Sequence, residues 1–327
     1  MDKTFRPEFD LDLYNAIRED GAPWFVPERR GVIAVHGAEA VQFLNGLLTN
    51  DVAKLEAGKT MLAAFPNAKG RLIALVRIEN EGERLVFDTE EGTYGSVLAN
   101  LTRFTFAGEF FVDDLTEEQT VVPVRGERAG VVLEGILEGG LPEGGSGISS
   151  FGGVPARVLK PVRASGSDIR VPAGKLEAFS SALEAAGAVK AEGPLAEILR
   201  VETGTPVFGT DMDEDTVVPE IGIEEVISYN KGCYIGQEVI ARIHFRGKVA
   251  KELKGVVFEA PEALVSRGSE LLSKDGKSAG VITSKGYSPK LKKHIAMAYV
   301  RNAYFDPGTE LLLENQSCRV CDLPFIP

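Results

Sequence analysis

Apolar residues along this chain change spacing several times, and each change marks an element. Between 37 and 48, Ala40, Phe43, Leu44, Leu47 and Leu48 recur every three or four residues, the spacing of an amphipathic helix. Residues 61–66, 70–78 and 84–89 are β-rich runs divided by turn residues, which predicts an antiparallel meander. Tyr94, Val97, Leu98 and Leu101 return to helical spacing, and 110–114 and 120–124 to strand. Leu176, Phe179 and Leu183 form the inner face of a helix stopped by Gly187, and 194–203 is another helix. From 251 onward, short apolar runs at 255–258, 279–283, 295–300, 309–313 and 317–323 are joined by Gly, Pro, Asp and Lys. That rhythm predicts a small antiparallel barrel or sandwich.

The glycine-rich stretch 130–153 interrupts this order. It holds no Gly-x-x-x-x-Gly-Lys-Ser/Thr, and no Gly-x-Gly-x-x-Gly between a strand and a helix, so it reads as surface loop rather than a phosphate cradle.

At 327 residues the chain is long enough for two or three compact units, and its 44% hydrophobic and 26% charged content is that of a soluble globular protein. No apolar run reaches the ~18 residues that span a bilayer. The start, Met1 to Arg6, is polar and has no apolar signal region. A cytoplasmic location is the expectation. The net charge of −12 argues against a general nucleic-acid coat, but residues 227–254 carry six Lys/Arg against two acids. Positive charge gathered on an acidic protein suits an anion.

Three cysteines in such a chain do not make a disulfide framework. Cys318 and Cys321 fall in a terminal strand, where positions three apart face opposite ways. That argues against chelation or a redox pair. Asp211 to Asp215 resembles the start of a calcium loop, but Thr216 and Gly222 stand where Gly and Glu are needed, so a solvated acidic loop is expected. No Gly-x-Ser-x-Gly elbow accompanies the scattered histidines His36, His244 and His294.

The chemistry concentrates in Lys231-Gly232-Cys233-Tyr234-Ile235-Gly236-Gln237-Glu238, which runs on to Arg242 and His244. Glycines at both ends permit backbone turns closed to other residues. Val239, Ile240 and Ile243 have helical spacing, so a glycine loop opens a short helix whose free N–H groups and positive end suit an anion. Cys233, near Lys231 and that helix start, is either a reactive thiol or a small buried apolar residue. Glu202 lies four residues after Ile198 on the apolar face of its helix. A carboxylate turned inward needs a partner, which could be an arginine of this chain or a ligand.

The order Lys-Gly-Cys-Tyr-x-Gly-Gln-Glu resembles the signature of the YgfZ-type folate-binding proteins, relatives of the glycine-cleavage T-protein (aminomethyltransferase). The likeness extends to Leu48-Thr49-Asn50-Asp51-Val52, Asn67-Ala68-Lys69-Gly70-Arg71, Leu199-Arg200-Val201-Glu202-Thr203-Gly204 and Asp322-Leu323-Pro324-Phe325. It implies an α+β fold: two interleaved, pseudo-symmetric units, approximately 1–125 and 126–250, that bind folate, and a C-terminal β-barrel at 251–327. It implies tetrahydrofolate or a one-carbon derivative as cofactor. Glu202 is the residue it matches to a pterin contact. Arg200, Lys231, Tyr234, Gln237, Glu238 and Arg242 are the further folate-binding candidates, with Cys233 the catalytic candidate and no metal ligand.

The family role so implied is maturation or repair of iron–sulfur enzymes, including some that modify tRNA, with those enzymes or assembly factors as partners. T-proteins carry an acidic pair where this chain has Ile73 and Ala74. An apolar residue cannot exchange a proton with a substrate amine, so a classical aminomethyltransferase is not expected. Two rivals stay open: a true folate-dependent aminomethyltransferase, and a tRNA-binding module using the cations of 242–254.

Overall fold

The computed structural model describes residues 8–26, 29–103, 105, 108–259, 265–314 and 316–326; the polar start Met1 to Arg6 lies outside them. In chain order the first elements are α1 (Leu11–Asp20), β1 (Pro23–Phe25), β2 (Arg30–His36), α2 (Ala40–Leu47), β3 (Thr60–Pro66), β4 (Leu72–Asn80), β5 (Arg84–Glu90), α3 (Glu91–Thr102) and β6 (Phe111–Asp114). Then come β7 (Gln119–Val124), α4 (Ala129–Ile136), β8 (Gly147–Phe151), β9 (Val154–Leu159), β10 (Ser167–Pro172), α5 (Leu176–Ala185), β11 (Val189–Ala191), α6 (Gly193–Thr203) and α7 (Gln237–Arg246). The last are β12 (Lys251–Phe258), β13 (Glu270–Leu272), β14 (Ser278–Ser288), β15 (Lys293–Arg301), β16 (Glu310–Leu313) and β17 (Gln316–Cys321).

Two sheets and a barrel result. The first sheet has the order β3-β4-β5-β2-β6, the second β11-β1-β7-β10-β9-β8, and β12-β15-β14-β13-β16-β17 close into a barrel. The fold is therefore α+β with antiparallel sheets and a C-terminal barrel. The sheets do not divide the chain at 125. The short strand β1 pairs in parallel with β11 and antiparallel with β7, so both β1 and β7 lie in the second sheet. Three residues of extended chain ahead of β2 carry too little pattern to reveal this.

Strand alternation explains how the sheets meet. On β4, Ala74, Val76 and Ile78 join Leu85 and Phe87 of β5 in a core sealed by Leu44 and Leu47 of α2 and Val97 and Leu101 of α3. On β9 and β10, Ala156, Val158, Ile169 and Val171 pack with Leu133 of α4 and with Phe179 and Leu183 of α5. The intervening positions are Arg77, Glu79, Asp88, Arg157, Asp168 and Arg170: Arg77 pairs with Asp168, and Glu79 with Arg157 and Arg170, across the gap between the sheets, while Asp88 pairs with Arg77 within the first sheet. Each sheet is thus apolar toward its helices and ionic toward the other sheet.

Two expectations need correction. The stretch 130–153 is not all loop: it contains α4 and β8. Val132 and Leu133 bury one face of α4, and its glycines masked that spacing. Asp211 is not solvated. It is 1% exposed and accepts hydrogen bonds from Arg200 of α6 and from Thr283 and Ser284 of β14, tying α6 to the barrel. On β17, Cys318 is fully buried in the barrel core, and Cys321 is half-buried; all three cysteines are free. Burial pushes the Cys318 thiol up to about 12.

Candidate functional site

A cavity of about 540 Å³ lies between α1, the β1–β7 side of the second sheet, the start of β2 and α6. That volume is within the range of cavities that hold a small ligand. Ile17, Phe25, Val121, Pro123, Leu199 and Ile326 give it apolar walls. Arg18, Arg30, Arg125, Arg200 and Lys290 supply cations at its boundary, with Glu19, Asp20, Glu127, Glu192 and Glu197 among the acids. Most of these polar groups are committed. Arg200 donates to both oxygens of Glu197 at 2.8 and 2.7 Å, and to Asp211, Thr205 O and Ser284. Burial opposes its charge, but Glu197 and Asp211 raise its pKa. Arg125 is held by Asp168, and Arg30 by Asp88. Lys290, by contrast, is exposed and makes no ion pair among the described residues.

Arg200 is the one residue among the sequence candidates that lines this cavity. Glu202, two residues on, is 0% exposed and is not among the residues that line the cavity, although its partner Arg18 is. Tyr14 donates to its Oε1 at 2.6 Å, Ser288 donates to the same oxygen, and Arg18 pairs with its Oε2. Burial, followed by the charge of Glu202, pushes the Tyr14 hydroxyl up to about 12. Both carboxylate oxygens are therefore satisfied within the chain, and the Glu202 carbonyl accepts from Phe325 and Ile326 as well. The inward carboxylate read from helical spacing is real, and its partners bind α1, α6 and the barrel together.

The loop 231–238 lies elsewhere and does not reach the cavity. Lys231 turns back on α2: its Nζ donates to Asn50 O at 2.6 Å, Leu48 O at 2.9 Å and Asn45 Oδ1 at 3.3 Å. Leu48 is the C-cap of α2, so one of these acceptors is a carbonyl left free at the helix end. Burial brings the Lys231 pKa down to about 8. Its Nζ lies 5.3 Å from the Tyr234 ring centroid, and Tyr234 is 8% exposed among Leu72, Ile221 and Ile240. Cys233, Glu238 and Arg242 are exposed, and Gln237 is half-buried at the first position of α7.

Glycine at 236 has a steric cause. Its φ is +79°, and a Cβ there would fall 2.4 Å from Asn67 O in the 67–70 turn. Thr49 and Asn50 bond to Val226 O and Glu225 O from the other side. The motifs around 49, 67 and 231 are thus three faces of one joint. It fastens the loop to the first sheet.

Residues 27–231 match the GCVT N-terminal domain, and residues 251–326 match the glycine cleavage T-protein C-terminal barrel domain. The chain belongs to the glycine cleavage T-protein family. It is 26% identical over 330 residues to a mitochondrial aminomethyltransferase of Flaveria trinervia, covering 95% of this chain and 80% of that protein. It is 27% identical to an aminomethyltransferase of Rubrobacter xylanophilus, over 90% of this chain and 80% of that one. An aminomethyltransferase of Thermus thermophilus is 26% identical, over 91% and 85%. In fold the chain is similar to the glycine cleavage system aminomethyltransferase T from Bartonella henselae, with a TM-score of 0.81 at 22% identity, over 97% of this chain and 89% of that one.

Sequence reading missed Arg18, Arg30, Arg125 and Lys290. They come from α1, β2, the end of β7 and the β14–β15 turn, and no local spacing links them. The available signal was an arginine directly after the apolar strand 121–124.

Proposed function

We propose that this protein binds tetrahydrofolate in the 540 Å³ cavity and takes part in one-carbon transfer of the aminomethyltransferase type. The observation that carries the reading is the cavity itself. It combines a slot walled by Val121, Pro123, Phe25 and Leu199 with uncommitted charge at Lys290. An aromatic ring system with a carboxylate tail needs both: apolar faces for the ring and a cation for the tail. Arg18 and Arg125 add positive field from within their ion pairs. Bound tetrahydrofolate would supply nitrogen atoms that accept a one-carbon unit. This chain's own part is to exclude water along the apolar walls and to fix the ligand's orientation through Lys290 and the Glu197–Arg200 pair. The relatives named aminomethyltransferases support the reaction class.

A second reading has its own observation. Position 74 is alanine, 0% exposed in the core of the first sheet, and Ile73 precedes it. Neither supplies the carboxylate pair of the T-proteins. With the Lys-Gly-Cys-Tyr-x-Gly-Gln-Glu loop, this favours a YgfZ-type accessory protein that holds folate and serves iron–sulfur enzymes without transferring an aminomethyl group. Calorimetry with tetrahydrofolate tests the shared claim: no saturable binding removes both readings. Turnover of an aminomethyl-lipoyl carrier at ~1 s⁻¹ or above, the ordinary enzyme range, supports the transferase. Binding without turnover supports the accessory protein.

A further inference from the structure

Between the two sheets, three guanidiniums share two carboxylates. Arg30 and Arg77 pair with Asp88, and Arg77 and Arg125 pair with Asp168. Beside them, Arg84, Arg157 and Arg170 share Glu79 and Glu81. Each group counts three cations against two acids, with the surplus on part-exposed Arg30, Arg125, Arg157 and Arg84, while Arg77 and Arg170 have side chains 6% and 2% exposed.

Arg77 forms one wall of a second pocket, about 240 Å³, which the folate reading does not use. Its Nη1 donates to Asp168 and Lys160 O, and its Nη2 pairs with Asp88. Its Nε has no hydrogen-bond partner among the described residues. Lys160, on the rim, is exposed and makes no ion pair among the described residues. Thr60 adds a hydroxyl that no described side chain engages. Glu225 also lines the pocket and is the one acid among its described lining residues. Asp88 and Asp168 lie behind Arg77 and are already shared.

We propose that this pocket is a second binding site, for a small oxyanion of the size of formate, acetate or inorganic phosphate. Lys160 supplies the accessible charge, Arg77 a buried guanidinium whose Nε–H is uncommitted among the described residues, and Thr60 a neutral donor. Glu225 opposes the ligand and sets its affinity. The pocket is too small for a folate, so the site stands or falls independently of the larger cavity.

The full-length protein is titrated with sodium formate, acetate and phosphate, each against sodium chloride at equal ionic strength. Thermal shift and ¹³C-formate NMR line broadening are the readouts. Saturable binding is expected for at least one oxyanion and not for chloride. Lys160→Met, an exposed change that leaves folding intact, should weaken it about ten-fold, and Glu225→Gln should strengthen it about three-fold, the scale of one charge at a half-open site. Absence of saturable binding overturns the proposal, as does binding unaffected by Lys160→Met. Loss of binding in Lys290→Met instead would put the anion in the larger cavity and overturn it too. Glycine binding more tightly than formate, with Glu225→Gln reversing the order, would mark an amino-acid site and overturn the oxyanion assignment.

Discussion

Arg77 of β4 donates to Asp168 of β10 at 2.6 Å, joining residues 91 positions apart on two different sheets. This contact closes the interface between the sheets. Burial opposes the Asp168 charge, yet Arg125 and Arg77 outweigh it and hold the carboxyl well below the usual range. Asp88 behaves alike: burial opposes, and Arg30 and Arg77 prevail. A carboxyl whose folded pKa is depressed contributes stability above its unfolded pKa and loses it as pH falls.

The first prediction concerns that interface. Asp168→Asn should destabilise the protein by about 3 kcal/mol, because Arg77 and Arg125 lose a shared buried partner. The stability that Asp168 contributes is present above pH ~4 and fades below it, so acid unfolding of the wild type should be steeper than that of Asp168→Asn. Urea melts from pH 7 to pH 2 check this. Parallel curves for the two proteins would show that the pair adds nothing to the acid response.

A second prediction separates the two roles open to Glu202. Its oxygens are taken by Tyr14, Ser288 and Arg18, so Glu202→Gln should cost about 2–3 kcal/mol of stability. Arg18→Met should cost less, since the Tyr14 and Ser288 bonds survive. Tetrahydrofolate affinity per folded molecule should stay within about two-fold of wild type. A folate affinity that drops ~10-fold or more at unchanged melting temperature, about 1.4 kcal/mol, would make Glu202 a ligand contact.

The third prediction tests the cavity. Lys290 is its uncommitted cation, so Lys290→Met should weaken tetrahydrofolate binding about five-fold, the worth of one exposed ion pair. The loss should be larger for a polyglutamyl form, and it should shrink as salt rises. Equal affinities for wild type and variant at low salt would place the carboxylate tail elsewhere.

Much of this architecture was legible before the structure. Helices 40–47 and 193–203, the meander and the barrel strands declare themselves because each buries one face against one partner. The inward carboxylate Glu202 followed from helical spacing alone. What spacing could not show was the identity of its partners, since Tyr14, Arg18 and Ser288 are 188, 184 and 86 residues away. The contacts made by the loop 231–238 were hidden for a related reason. Its lysine, glycines and aromatic ring look like ligand chemistry, but Lys231 serves carbonyls after α2, Tyr234 a hydrophobic cluster and Gly236 a close backbone approach. Composition cannot distinguish a residue that binds a ligand from one that binds its own chain.

The fourth prediction follows from Lys231. Its pKa is brought down to about 8 by burial, from an ordinary 10.5. Between those values the unfolded chain binds more protons than the folded one, so stability should rise with pH there. Above pH 10 the trend should reverse as unfolded tyrosines ionise, because burial holds Tyr14 and Tyr234 near 12. A variant Lys231→Met should lose the rise between pH 8 and 10 and keep the fall above it. Denaturant midpoints across that window decide the matter. A wild-type curve that is flat from pH 8 to 10 would mean that the ammonium is not desolvated.

The last prediction concerns Cys233, two residues beyond Lys231. It is exposed, and neither it nor its loop neighbours line the 540 Å³ cavity. Cys233→Ser should therefore change stability by no more than ~0.5 kcal/mol. The native thiol should react with a maleimide as readily as a free cysteine peptide, whereas buried Cys318 should react only after unfolding. Saturating tetrahydrofolate should not protect Cys233. Protection by folate would show that loop and cavity come together in the bound state, and the thiol would then return as a candidate for the chemistry. Without protection, an effect of Cys233→Ser on function would point to a partner that docks on the loop, where the thiol is exposed.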